Sequence, residues 1–147
     1  MAAAPIPNVV AMLLCDQIIN EAGTNKKSLI GVFDYFFSLA FPTIIQRFAV
    51  YVKMADAVGD YLFKLRVVKL KDEALIAEIA IQAKIAADNQ YGELALNLGG
   101  IPLPEAGKYE IQLYAGEEYL HRIVMNVLLA QPPQPMTGGQ QWQQPRK

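Results

Sequence analysis

Apolar and polar side chains alternate with period two along much of this chain. From Gln46 to Met54, Phe48, Val50, Val52 and Met54 fall on one side, and Arg47, Ala49, Tyr51 and Lys53 on the other. From Tyr61 to Lys71, Tyr61, Phe63, Leu65 and Val67 oppose Lys64, Arg66 and Val68. Successive side chains of a strand leave opposite faces, so both stretches predict half-buried strands. The turn residues Asp56 to Asp60, with Gly59, leave a link short enough to predict an antiparallel hairpin between them.

Other segments read in the same way. Val9–Asp16 is apolar on both faces and predicts a buried strand. A polar loop follows over Glu21–Lys27. Ser28–Phe37 is rich in β-branched and aromatic residues, which suit a pleated, packed surface, and Phe41-Pro42 ends it because proline cannot donate to a ladder. Leu94, Leu96 and Leu98 mark a short strand, and residues 99–104 (GGIPLP) a loop. Lys108–Ala115 and Tyr119–Val127 flank Gly116-Glu117-Glu118 and predict a hairpin.

Glu73–Asp88 is the ambiguous stretch. Its Ala, Glu and Leu content favours helix. A helix, however, scatters Glu78, Gln82, Lys84 and Asp88 around its axis. A strand gathers them on one side and Ile79, Ile81, Ala83 and Ile85 on the other, and the pattern is weighed as strand. The total is about eight strands at short, fairly regular spacing, which predicts an all-β antiparallel sandwich over residues 1–130. A tyrosine opening the penultimate strand after a Gly-containing turn, Gly107-Lys108-Tyr109, resembles the tyrosine corner of immunoglobulin-like sandwiches. The alternative is an ordinary cross-strand aromatic. The disulfide of antibody domains has no counterpart, since Ile111 stands where its second cysteine would be.

Composition changes the picture in two places. Residues 1–130 are about 59% apolar, against about 45–50% in an ordinary domain. Either the core is unusually full or a partner covers part of the surface. Residues 131–147 are different: six of the 17 are Gln and four are Pro. With no periodic apolar face to bury, this tail is expected to be extended or disordered. Its Trp142, the only tryptophan, is either an anchor for a pocket or an idle aromatic in solvent.

Charge and reactive groups narrow the function. A net charge of −1 argues against an electrostatic nucleic-acid or anionic-membrane binder. One Cys and one His supply neither an intrachain disulfide nor a usual zinc site. Cys15 sits in an apolar strand and reads as an inert thiol; His121 falls by parity with Tyr119, Ile123 and Met125, towards the core side near a strand end, and reads as a structural residue. The expectation is no catalytic residue, no metal, no cofactor and no enzyme activity. Nor does any apolar run reach 18 residues, so no transmembrane helix is expected. The start of the chain lacks a basic segment before Lys26 and does not read as a signal peptide. A cytoplasmic location is expected, in keeping with the single cysteine.

Cys15-Asp16, Ser28-Leu-Ile-Gly-Val-Phe-Asp34, Phe41-Pro42, Gly107-Lys-Tyr109 and Gln112-Leu-Tyr114 together resemble a small uncharacterised bacterial domain family of unknown function. The likeness covers roughly residues 8–128 and excludes the tail. It implies a compact immunoglobulin-like sandwich and no functional residues. The functional expectation is an interaction or structural subunit that meets a protein partner or a second copy of itself. Phe33, Tyr35, Phe36, Phe37 and Phe41, with Trp142, are the candidate contact residues. The alternative is a ligand- or nucleic-acid-binding sandwich using Lys64, Arg66, Lys69 and Lys71, with Tyr51 and Lys53 on a neighbouring strand.

Overall fold

The computed structural model describes residues 4–87 and 91–131. They form β1 (Asn8–Asn20), β2 (Lys27–Val32), β3 (Tyr35–Ser38), β4 (Thr43–Ile45), β5 (Phe48–Ala55), β6 (Gly59–Lys69), β7 (Ala74–Ile85), β8 (Tyr91–Leu98), β9 (Ile101–Leu103), β10 (Gly107–Ala115) and β11 (Glu118–Leu129). One sheet has the order β2-β1-β5-β8 and the other β3-β11-β10-β6-β7; β4 and β9 make a two-stranded ribbon. The 131–147 tail, apart from Gln131, lies outside the described residues.

The alternating residues make the core. Phe48, Val50, Val52 and Met54 of β5 face Phe63, Leu65 and Val67 of β6 and Tyr109, Ile111 and Leu113 of β10, all within one buried cluster. Each such side chain contributes about 1.5–3 kcal/mol when fully buried. β7 is a strand, paired antiparallel with β6. Ile79, Ile81 and Ala83 lie opposite Leu65, Phe63 and Tyr61, while Glu78, Gln82 and Lys84 lie opposite Arg66, Leu62 and Asp60. Packing of an alternating face overrides helix propensity here; Asp88 is outside the described residues.

Tyr109 forms the predicted corner. Its ring is fully buried, and its hydroxyl donates to the Glu105 carbonyl at 2.7 Å. Tyr61 ties a second corner, donating to the Pro5 carbonyl at 2.6 Å, so the N-terminal segment is held against β6.

Four expectations change. The strands at 46–54 and 61–71 are not a hairpin, because β5 and β6 belong to different sheets. Packed sheets lie about 10 Å apart, and a three-residue link spans that distance, so a short connection does not discriminate hairpin from crossover. Ser28–Phe37 is two strands in two sheets. Gly31 takes a φ of +69°, the Phe33 amide donates to the Leu14 carbonyl, and the Asp34 carbonyl accepts from the Asn126 amide. The chain thus changes sheets at Phe33-Asp34. β3 then runs parallel to β11, with Phe37 opposite Leu128, so the sandwich is not wholly antiparallel. Finally, the 99–104 loop contains β9: Ile101 and Leu103 are buried, and Pro102 lies opposite Ile44 in a two-stranded ribbon, where a missing amide donor is tolerated. The short strands β3, β4 and β9 account for eleven strands rather than about eight.

Candidate functional site

The sheet change at Phe33-Asp34 creates an aromatic cleft. Its volume is about 370 Å³, and it is lined by Asp16, Phe33, Tyr35, Phe36, Phe37, Ile45, Arg47 and Phe48. Ile45 and Phe48 are buried core residues. Phe33 meets Phe48 edge-on, with ring centroids 6.4 Å apart. One carboxylate, Asp16, and one guanidinium, Arg47, line the same cleft.

The strand beside the cleft is open to solvent. Among the described residues β3 is paired with β11 alone, so one side of its backbone meets no other described strand. Tyr35 and Phe37 stack with centroids 6.4 Å apart and are 54% and 60% exposed, Leu39 is 69% exposed, and Leu128 and Leu129 are exposed at the end of β11. Single exposed apolar residues are ordinary. A run of them along an unpaired strand edge is the arrangement that proteins usually blunt with charge, proline or a cover.

Of the residues expected from sequence, Phe33, Tyr35, Phe36 and Phe37 come together on this cleft. Phe41 packs against the core cluster and is not among the lining residues. Trp142 lies outside the described residues. Asp16, Ile45, Arg47 and Phe48 were not anticipated; they arrive through the sheet change, for which only Gly31 gave a local signal.

The basic strand is dispersed. Lys64 pairs with Glu117 at 3.2 Å, Arg66 with Glu78 at 3.3 Å, and Lys69 with Asp72 at 3.1 Å and Glu105 at 3.4 Å. Lys71 lies 3.8 Å from the same Glu105 carboxylate. Tyr51 and Lys53 are on β5 in the other sheet, so they do not join this row. The face carrying Lys64 and Arg66 is further knit by Glu110, a buried carboxylate that accepts from Arg122 at 2.8 Å and Gln112 at 2.9 Å.

The reactive groups stay apart from the cleft. Cys15 is buried, and that burial pushes its thiol above the ordinary value, which opposes nucleophilic use. His121 is exposed on β11 and not on the core side, because the pairing of β10 with β11 shifts register beside it, between Leu113 and Tyr114; it does not line the cleft. Tyr51, on β5, donates to a Glu93 carboxylate oxygen. Partial burial, with the bond and charge of Glu93, pushes its pKa from 10.0 up to about 12. The folded chain therefore keeps this proton over a range where the unfolded chain has released it. The associated stability is complete below pH 10.0 and disappears as pH rises to about 12. In an alkaline absorbance titration, Tyr51→Phe is expected to remove one tyrosine from the late part of the curve. An unchanged late part contradicts the Tyr51–Glu93 pairing.

The fold and its buried tyrosine corner define an immunoglobulin-like β-sandwich. The chain belongs to a family of unknown function, DUF6941, which it matches over residues 10–128. No curated protein matches it. Among solved structures, it is similar to an immunoglobulin-like protein from Pseudomonas aeruginosa, with 12% identity and a TM-score of 0.43 over 86% of this chain and 99% of the other. It is also similar to a beta-D-glucoside glucohydrolase from Trichoderma reesei, with 11% identity and a TM-score of 0.43 over 83% of this chain and 19% of that enzyme.

Proposed function

We propose that the protein is a non-enzymatic interaction or structural subunit that receives an extended segment of a protein partner along the free edge of β3. The observation that carries this reading is the exposure of Tyr35 and Phe37, 54% and 60%, on a strand that among the described residues has a partner on one side only. An added strand would take up the unpaired backbone groups, and its apolar side chains would reach the aromatic cleft. Aromatic residues of this kind dominate binding energies because they bury large rigid areas. The lone buried cysteine supports a reducing compartment, and cytoplasmic residence is part of the reading.

Selection from a displayed random-peptide library tests it. The full chain is expected to enrich peptides carrying apolar or aromatic residues at alternate positions. Phe37→Asp is expected to weaken the selected peptides by about tenfold or more without changing the unfolding midpoint. No enrichment over an unrelated sandwich, or enrichment indifferent to Phe37, overturns the proposal.

A further inference from the structure

We infer that two copies of the chain pair β7 with β7, antiparallel about a two-fold axis at Ile81, so that the β3-β11-β10-β6-β7 sheets of the two molecules run on into one another. This edge lies across the whole sheet from β3, so the two contacts are independent. Among the described residues the two larger sheets end on β2, β8, β3 and β7. β2, β3 and β8 have 6, 4 and 8 residues, whereas β7 has 12. Exposed edges are normally kept short or blunted by proline, a bulge or a charge aimed inward. β7 contains neither proline nor glycine, and its one register shift with β6 lies near its start, beside Val67-Val68. From Ala77 to Ile85 the pairing with β6 is regular, and the positions that share the core side are Ala77, Ile79, Ile81, Ala83 and Ile85. β9 comes near β7 but pairs with β4. The backbone groups of β7 that point away from β6 therefore meet no described strand.

Its charges identify the occupant as a second copy. Two identical strands pair antiparallel about a two-fold axis perpendicular to the sheet, and opposed side chains share a face. With Ile81 on the axis, Glu78 of each copy stands opposite Lys84 of the other. Within one chain Glu78 already lies opposite Arg66 and Lys84 opposite Asp60. Arg66 Nε is 3.3 Å from one Glu78 oxygen, Oε2, and the carboxylate has a second oxygen to accept from lysine. The row across four strands then reads Arg66 and Glu78, followed by Lys84 and Asp60 of the second copy. Its charges alternate in sign at every step, and the symmetry repeats the row on the other side of the axis. Opposite charges set directly across a strand pair attract, and like charges repel. Moving the axis to Ala80 or Gln82 sets Glu78 opposite Gln82 or Ala86 and removes both pairs, so the charges select one register. On the core side the half-buried Ile81 meets Ile81 of the second copy, and Ile79 meets Ala83. An apolar edge is thereby covered on one face while a charge ladder closes on the other.

Sedimentation equilibrium of the full chain provides the test. The protein is expected to reach twice its monomer mass as concentration rises. Glu78→Lys sets lysine against Lys84 at both ends of the interface, and Lys84→Glu sets carboxylate against Glu78. Each variant is expected to raise the dimer dissociation constant about tenfold or more, while far-ultraviolet circular dichroism stays unchanged. An equimolar mixture of the two variants is expected to dimerise again, because one copy then presents two positive charges to two negative charges on the other. A variant that has merely lost its fold gives no such recovery. A monomer at every concentration overturns the inference, as does a dimer indifferent to both variants. A mixture that stays monomeric, when each variant alone is folded, overturns the antiparallel register. Association abolished by Phe37→Asp, and not by the charge variants, places the second copy on β3 and overturns the β7 pairing.

Discussion

Tyr109→Ala is expected to destabilise the protein by about 3–5 kcal/mol, the range for removing a large buried aromatic, and Tyr109→Phe by about 1 kcal/mol. The difference separates two roles of one side chain. The ring is fully buried among the core residues, so alanine leaves a cavity that the two sheets close only in part. The hydroxyl donates to the Glu105 carbonyl at 2.7 Å, so phenylalanine keeps the packing and leaves that carbonyl without its donor. Burial also pushes the Tyr109 pKa above its ordinary value, so the hydroxyl remains a donor well into alkaline solution. Urea unfolding of the three proteins provides the check. Equal losses for the two variants would mean that the corner bond, not the ring, holds this end of the sandwich.

Gly31→Val is expected to cost about 1–3 kcal/mol and to disturb the aromatic cleft as well. At φ +69° a β-branched residue is strained whatever surrounds it. A Cβ there would also stand 2.7 Å from Asp16 Cγ, so the carboxylate that lines the cleft must move. The two contributions are separable. Asp16→Ala relieves the overlap but not the φ strain, so Gly31→Ala and Asp16→Ala combined should cost less than the sum of the single changes. Strict additivity in urea unfolding would show that the left-handed backbone alone accounts for the effect.

The strands that carry the core were legible because their side chains alternate over eight or more residues. β5, β6, β7 and β10 follow that parity over most of their length, and Tyr109 announced its corner by its place after Gly107; β11 breaks it at a register shift beside Leu120, so that Leu120 and Ile123 both pack on the core while Tyr119 and His121 are exposed. What escaped was pairing between segments. Phe48 to Met54 and Tyr61 to Val67 show the same pattern whether they adjoin in one sheet or face each other across the core, because alternation reports a face and not a neighbour. The site was legible to a similar depth. Phe33, Tyr35, Phe36 and Phe37 stood out as a cluster in sequence. Asp16 and Arg47 join them only because the backbone crosses between sheets at residues 33–34. Ile101 and Leu103, separated by a proline, carried too short a pattern to be distinguished from a loop.

The parallel pairing of Tyr35 with Asn126 has a consequence for biosynthesis. β3 emerges from the ribosome roughly 90 residues before β11, its one strand partner among the described residues. At about 5–20 residues per second, Tyr35, Phe36 and Phe37 wait roughly 5–18 seconds without it. A nascent chain is thereby expected to hold both edges of β3 open for that interval, and the translation of β11 closes one of them while Tyr35 and Phe37 stay exposed.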